Sequence, residues 1–152
     1  MRSTPDAYRG EPPLASRMAI ALLALVGLLI SAYLALYKLG YIGVIQCGVG
    51  GCDVVQGSRY AYFLGLPVAL WGVGAYAAML GLAMAGLQPR WFRARWVALS
   101  LFATASVGVL FSAYLTYLEA AVIRAWCRWC VVSAIVVTLI FLLSIPGLRN
   151  AR

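Results

Sequence analysis

Residues 18–37, MAIALLALVGLLISAYLALY, form a run of 20 positions without a charged side chain, between Arg17 and Lys38. A helix of about 20 apolar residues is long enough to cross the roughly 30 Å hydrocarbon layer of a bilayer. Three later stretches are also uncharged and at least as long, namely residues 60–89, 96–118 and 129–148. The sequence therefore predicts four transmembrane helices, at about residues 18–38, 63–87, 96–118 and 127–146, with an outer loop at 39–62 and a cytoplasmic loop at 88–95.

The composition of the 152-residue chain excludes an ordinary soluble domain. Hydrophobic residues make up 64% and charged residues 11% of the sequence, whereas soluble domains average about 45–50% and about 25%. Such a chain has too little polar area to cover a water-facing surface, so lipid must surround it. The predicted fold class is an all-α integral membrane protein, a four-helix bundle that forms a single domain over residues 1–152.

The basic residues indicate how the helices cross the membrane, because short cytoplasmic loops are enriched in lysine and arginine. With the N-terminus in the cytoplasm, eight of the 12 basic residues lie on that side and four on the other. The eight are Arg2, Arg9, Arg17, Arg90, Arg93, Arg95, Arg149 and Arg152. We therefore expect both termini to be cytoplasmic, and we interpret the net charge of +8 as a signal of topology and anionic lipid, with no nucleic-acid partner.

Two pairs of cysteines fall on the outer side of the predicted bundle. Cys47 and Cys52 lie in the first outer loop, and three of the four residues between them are glycines, which permit a tight turn. Cys127 and Cys130 lie at the first turn of the fourth helix, where unpaired N–H groups and the helix dipole lower the pKa of a thiol. All four thiols therefore face a compartment where disulfides form and persist.

Three interpretations of the cysteines remain open. Fixed disulfides could staple the outer loops, a zinc ion could bind the four thiolates, or electrons could pass between the pairs by thiol–disulfide exchange. Zinc is the least favoured, given the oxidising compartment, so the expected site contains no metal. A Cys-x-x-Cys disulfide closes a very small ring and adds little stability through loop entropy. This favours electron transfer between the two pairs over a purely structural role.

Electron transfer between the cysteine pairs needs a final acceptor that reaches Cys130, which lies about one turn inside the fourth helix. The sequence contains no haem ligand set, flavin fingerprint or nucleotide-binding loop, and a lipid-soluble quinone is the natural candidate. Aromatic residues that could line its pocket are Tyr60, Phe63, Phe111 and Tyr114. Aromatic residues in membrane proteins also form interfacial belts or pack between helices, and each of these four has that alternative role.

Four motifs occur in order along the chain: Cys47-x4-Cys52, Ser58, Gly65-Leu-Pro67 and Cys127-x-x-Cys130. This order resembles the vitamin K epoxide reductase family, especially its prokaryotic members, over about residues 18–146. The resemblance implies a helical bundle around a quinone, with Cys130 beside the quinone, Cys127 exchanging with Cys52, and Cys47 meeting an external thiol. It also implies that Ser58 hydrogen-bonds near the quinone head group. The candidate quinone contacts are Val55, Ser58, Tyr60, Phe63, Phe111, Tyr114 and Ala134.

Two features depart from the family pattern. Animal members have a tyrosine one turn after the second cysteine of Cys-x-x-Cys, where this chain has Ala134. No thioredoxin-like domain follows the fourth helix, so we expect the partner, a thioredoxin-fold dithiol protein, to act in trans.

The resemblance thus predicts a monomeric thiol:quinone oxidoreductase of the cell inner membrane, which uses a quinone of the ubiquinone or menaquinone type. It would reoxidise its partner for disulfide bond formation, with the cysteines on the periplasmic face. Two alternatives remain open: the same cysteines could reduce a quinone epoxide, or the chain could be a non-enzymatic scaffold stapled by disulfides.

Overall fold

Helices dominate the structure, a computed structural model that describes residues 14–48 and 51–150. The helices in these ranges are α1 (Leu14–Lys38), α2 (Cys52–Gly57), α3 (Val68–Leu87), α4 (Arg95–Tyr117) and α5 (Arg128–Asn150). Between α2 and α3 lie a 3-10 turn (Arg59–Ala61) and the strands β1 (Tyr62–Phe63) and β2 (Leu66–Pro67). A π-helical segment, Leu118–Ile123, continues α4.

Within the described ranges, four helical stretches are long and apolar enough to cross a membrane, at residues 14–38, 68–87, 95–123 and 128–149. Helices are the expected form of such runs, because a helix satisfies its own backbone hydrogen bonds where lipid offers no partner. The predicted all-α membrane bundle with four spans is confirmed. Three residues used to predict the orientation, Arg2, Arg9 and Arg152, lie outside the described part of the chain.

In the bundle, α1 packs against α3 and α5, and α4 packs against the same two helices. One buried cluster draws on all four spans and includes Ile20 of α1, Met79 of α3, Ala105 of α4 and Ile140 of α5. A second buried cluster joins the end of α1, the helix α2 and the residue before α5. The first cluster holds the four spans together, and the second contains the cysteines at one end of the bundle.

Arg17 is buried at the opposite end of α1, where it binds the last turn of α3. Its Nη1 donates a hydrogen bond of 2.7 Å to the carbonyl oxygen of Gly86, and its guanidinium lies 5.0 Å from the ring centroid of Phe92. A cation is favourable there because the last carbonyls of a helix are unpaired and carry partial negative charge. A Cβ atom on Gly86 would overlap this guanidinium, so the arginine side chain would have to shift if another residue replaced the glycine.

The second span begins at Val68, and its predicted start at residue 63 is wrong. Residues 62–67 instead form the hairpin, in which Tyr62 pairs with Pro67 and Phe63 with Leu66. Its two turn residues, Leu64 and Gly65, both have positive φ angles, of 53° and 80°. Proline disfavours the helical conformation in the residue before it and has no N–H, so the helix begins after Pro67.

The other spans differ from their predicted bounds by a few residues. The first begins at Leu14 instead of 18, the third begins at Arg95 instead of 96, and the fourth ends at Asn150 instead of 146. The third span passes its predicted end as the π-helical segment and stops at Arg124, whose φ is 56°. The fourth continues through Pro146, which removes one helical hydrogen bond near the end of a long helix. The predicted outer loop at 39–62 contains α2.

We expect replacement of Gly27 by alanine to destabilise the bundle. A Cβ atom on Gly27 in α1 would overlap the ring of Tyr76 in α3, which is itself buried. Overpacking of a buried contact costs about 1–3 kcal/mol, so the Gly27→Ala protein should unfold at a lower temperature in detergent, as followed by intrinsic fluorescence.

The matched control is Gly74→Ala in α3, because a Cβ atom there would meet nothing within 4 Å. Alanine has the higher helix propensity, so this variant should unfold no earlier than the parent protein. Equal unfolding temperatures for the two variants would contradict the close approach of α1 and α3 at Gly27.

Candidate active site

The first cysteine pair forms a disulfide between the loop that follows α1 and the first residue of α2. Cys47 and Cys52 have Cα atoms 6.0 Å apart, and Gly48 between them has a φ of 64°, which glycine adopts without strain. Cys52 is fully buried, whereas Cys47 is partly exposed. An external thiol can therefore reach the sulfur of Cys47 more easily than that of Cys52.

Side chains of α1 and α5 hold the backbone next to Cys47. The N–H of Gln46 donates to the hydroxyl oxygen of Tyr33 at 2.8 Å. The indole Nε1 of Trp129 donates to the carbonyl oxygen of Gln46 at 2.7 Å, and the rings of Tyr33 and Trp129 are 5.3 Å apart. Both backbone polar groups of Gln46 are thus fixed, which positions the loop at the end of the bundle.

Lys38, the last residue of α1, binds the carboxyl end of α2. Its Nζ donates a hydrogen bond to the carbonyl oxygen of Gln56 and lies 4.5 Å from the ring centroid of Tyr62. An ammonium group stabilises the unpaired carbonyls in the last turn of a helix. This contact fixes the end of the six-residue helix that begins with Cys52.

The second pair, Cys127 and Cys130, has free thiols at the start of α5. The carbonyl oxygen of Cys127 accepts the N–H of Val131 at 3.0 Å, and its Sγ accepts the N–H of Cys130 at 3.4 Å. The sulfur thus serves as the helix N-cap, a position usually taken by a side-chain oxygen. Residues 127 and 130 are held one turn apart on one face of the helix.

The pKa of Cys127 lies below the ordinary value for a thiol. The main cause is a hydrogen bond from the Cys130 side chain, which outweighs the opposing effect of burial. The backbone N–H of Cys130 and the amide of Gln56 lower this pKa further. A thiol with a lowered pKa is a better leaving group in thiol–disulfide exchange.

A backbone hydrogen bond brings the two cysteine pairs together. The N–H of Gly51 donates to the carbonyl oxygen of Trp126 at 2.9 Å, and these two residues immediately precede Cys52 and Cys127. Both of these cysteines are 0% exposed and belong to one buried cluster. A Cβ atom on Gly51 would lie only 2.8 Å from that of Ala125, so the close approach depends on glycine.

Two polar residues that the sequence analysis did not select contact the second pair. Nε2 of Gln56 in α2 lies 3.5 Å from Sγ of Cys130 and 4.0 Å from Sγ of Cys127. Oε2 of Glu119, in the π-helical segment, accepts the N–H of Cys127 at 3.1 Å. An acidic residue inside an apolar span is rare and often functional, but the predicted third span ended at residue 118, which left Glu119 at its boundary.

A cavity of about 600 Å³ lies between the helices beside Cys130. Six of the predicted quinone contacts line it: Val55, Ser58, Tyr60, Phe63, Phe111 and Ala134. The seventh, Tyr114, is not among the described residues that line the cavity. Its ring is half exposed and lies 6.2 Å from that of Phe111. The contact of each of these seven residues with a quinone stays a prediction.

Within the cavity wall, Ser58 and Phe63 have partners in the protein. The Ser58 hydroxyl donates to the carbonyl oxygen of Val55 at 2.7 Å and so closes the end of α2. The ring of Phe63 contacts those of Trp71 and Phe111, at centroid distances of 6.0 Å and 5.4 Å. The hairpin and α4 therefore form one continuous aromatic wall.

A membrane bundle that brings a disulfide and a dithiol together beside an apolar cavity defines a class, the membrane thiol–disulfide oxidoreductases. The model of the vitamin K epoxide reductase family matches residues 18–145, which is most of the chain, and the chain belongs to this family. The resemblance inferred from the motifs is thereby confirmed. Enzymes of this family depend on a quinone and generally work with thioredoxin-like partners.

The residues around the cavity fit a quinone. A volume of about 600 Å³ falls within the range of roughly 300–1,000 Å³ that small-molecule sites have. Aromatic and aliphatic side chains form most of the wall, Gln56 and Glu119 supply polar groups, and Cys130 places a sulfur at the wall. The flat apolar ring and two carbonyl oxygens of a quinone match this combination.

We expect Gly51→Ala to slow disulfide exchange between Cys52 and Cys127. The added methyl group would push the loop away from Ala125, and a misplacement of about 1 Å can cost a reaction as much as about 100-fold in rate. The test uses chains with serine at positions 47 and 130, so that only Cys52 and Cys127 remain. Their rate of cross-linking by a mild oxidant is measured by gel shift.

Gly57→Ala is the matched control for this prediction, because a Cβ atom at the other end of α2 would meet nothing within 4 Å. It should cross-link at the parental rate. The proposed contact between the loop and the start of α5 is wrong if Gly51→Ala cross-links as fast as Gly57→Ala.

Replacement of Cys130 by alanine should raise the pKa of Cys127, because the hydrogen-bond donor to its sulfur is lost. Cys130→Ser keeps an O–H donor, so the pKa of Cys127 should stay lower in this control. The measurement is a pH titration of thiolate ultraviolet absorbance, with Cys47 and Cys52 replaced by serine in both proteins. Identical titration curves would show that the side chain at 130 does not stabilise the thiolate.

Proposed function

We propose that this protein generates disulfides by passing electrons from an external dithiol protein to a quinone. The observation that carries the proposal is the hydrogen bond between Gly51 and Trp126, which puts Cys52 and Cys127 at neighbouring positions in one buried cluster. The path runs from the partner to Cys47 and Cys52, then to Cys127 and Cys130, and then to the quinone.

The first exchange takes place at the more exposed sulfur. A thiolate of the partner attacks Sγ of Cys47, which breaks the Cys47–Cys52 disulfide and releases the Cys52 thiolate. The second partner thiol then displaces Cys47. The partner leaves as a disulfide, and the loop pair holds the two electrons.

The second exchange takes place inside the buried cluster. The Cys52 thiolate attacks Cys127 in an oxidised Cys127–Cys130 pair and expels Cys130, and Cys47 then attacks Cys52 and expels Cys127. The lowered pKa of Cys127 makes it a good leaving group in that last step. The structure, with a loop disulfide and two free thiols at α5, corresponds to the product of this exchange.

A quinone of the ubiquinone or menaquinone type, when bound, accepts two electrons and two protons. The residues that would hold it are the aromatic wall of Phe63 and Phe111, together with Val55, Ser58, Tyr60 and Ala134. These side chains exclude water from the head group, and Cys130 offers its sulfur to it. Tyr114, whose ring lies 6.2 Å from that of Phe111, is the remaining candidate contact.

The predicted orientation completes the proposal. With the basic residues split eight to four, both termini lie in the cytoplasm and the cysteine end lies on the periplasmic face of an inner membrane. The partner is a thioredoxin-fold dithiol protein that acts in trans on a monomer. Such a partner needs access to Cys47, which is partly exposed.

Purified protein in detergent should oxidise a reduced thioredoxin-fold protein in the presence of a short-chain quinone, as followed by the loss of quinone absorbance. Cys130→Ala should abolish quinone reduction, because the sulfur beside the cavity is lost. Val132→Ala, an exposed position on the same turn of α5, is the control and should keep the parental rate. Full activity of Cys130→Ala would overturn the electron path.

A further inference from the structure

Glu119 is a buried carboxyl group that the electron path does not use. Its side chain is 3% exposed and lies in the π-helical segment at the end of the third span. The other acidic residue in the described part of the chain, Asp53, is exposed. Burial of a carboxyl group within an apolar span is costly unless its neighbours compensate, so the position of Glu119 requires a reason.

The contacts of Glu119 all lead to the second cysteine pair and the cavity. Oε2 accepts the N–H of Cys127 at 3.1 Å, and Sγ of Cys127 in turn accepts the N–H of Cys130 at 3.4 Å. Both Glu119 and Cys130 line the cavity. The titratable groups that face Glu119 are therefore the two thiols, while α2 presents to these thiols the neutral amide of Gln56.

The chemistry of the pair creates a need for a proton acceptor. Oxidation of two thiols to a disulfide releases two electrons and two protons. The pKa of Cys127 is lowered, mainly by a hydrogen bond from the Cys130 side chain, so Cys127 loses its proton more readily than an ordinary thiol and the proton of Cys130 must then be removed as well. Cys130 is only partly exposed and lines the cavity between the helices, in whose wall Glu119 also lies.

We propose that Glu119 is the catalytic residue that accepts the thiol proton of Cys130 and delivers it into the cavity when the pair is reoxidised. The proposal rests on the proposed function, since the acceptor of the electrons is the quinone. The Cys130 S–H bond breaks as the Cys127–Cys130 bond forms, two electrons leave for the quinone, and the carboxylate takes the proton. A quinone bound in the cavity would take up two protons together with the two electrons, of which Glu119 would supply this one and solvent the other.

Local electrostatics agree with this role. A carboxylate and a thiolate repel each other at close range, so the two cannot easily both be charged without a shared proton. A π-helical segment is a common way to direct one side chain into a functional site.

The test compares Glu119→Gln with the parent in the full chain. The amide that this substitution introduces keeps an oxygen for the Cys127 N–H and nearly the same volume, but it cannot accept a proton. Asp53→Asn is the matched control, because it makes the same acid-to-amide change at an exposed position of the cysteine loop. All three proteins are fully reduced, mixed with a short-chain quinone, and quenched to measure formation of the Cys127–Cys130 disulfide.

General acid–base catalysis contributes about 10²- to 10⁴-fold, so Glu119→Gln should form this disulfide about 100-fold more slowly, and Asp53→Asn at the parental rate. Exchange of electrons between the two cysteine pairs without quinone should be unchanged in both. If the parent itself fails to oxidise with quinone, the proposed function is wrong. If the parent reacts and Glu119→Gln reacts equally fast, only the role of Glu119 is wrong.

A second measurement needs no quinone. The rate of alkylation of Cys130 by iodoacetamide is followed by mass spectrometry between about pH 6 and pH 8, with Cys47 and Cys52 replaced by serine. With the carboxylate present, the rate should change little across this range. In Glu119→Gln it should rise about tenfold for each pH unit, as for a thiol that must lose its proton to water. A merely structural role for Glu119 predicts the same pH profile in both proteins.

Discussion

The hydrogen bond from the N–H of Gly51 to the carbonyl oxygen of Trp126 joins the first outer loop to the start of α5, and the proposed exchange between the two cysteine pairs depends on it. Disulfide exchange requires the attacking sulfur to approach the disulfide closely and in line. A free loop would bring Cys52 to Cys127 only rarely. With its backbone bound to the residue before Cys127, the loop keeps Cys52 and Cys127 in one buried cluster.

The membrane explains why so many polar groups at the two ends of the bundle bind backbone carbonyls. Arg17 binds the end of α3 and Lys38 binds the end of α2, so each cation stabilises a helix terminus. Among the described residues, no buried side-chain nitrogen or oxygen lacks a hydrogen-bond partner. Unpaired polar groups would cost several kcal/mol each in a medium without water (about 2–7 kcal/mol). Close packing and polar satisfaction together keep the cysteine end ordered.

The four spans were predicted correctly from the sequence, whereas the hairpin at residues 62–67 was not. Long uncharged runs predict helices reliably because lipid permits few other structures. The start of α3 was misplaced because Phe63, Leu64 and Leu66 are as apolar as the helix that follows, and apolar composition alone does not distinguish a buried helix from a short strand. The positive φ of Leu64 arises in the paired hairpin, where the turn imposes it. Pro67 was the one local signal of the true boundary.

The length of an apolar run and the spacing of cysteines can both be read directly from the order of amino acids. The sequence alone was therefore enough to establish that lipid surrounds the chain, how many spans it has and where the two cysteine pairs lie. The family motifs were equally readable. The packing of the folded chain was needed to show that Gln56 and Glu119 contact the second pair. Gln56 is 71 residues from Cys127 in the sequence, and the contact of Glu119 depends on the π-helical segment that turns the chain back toward α5. Such contacts follow from how helices pack, which spacing along the chain does not specify.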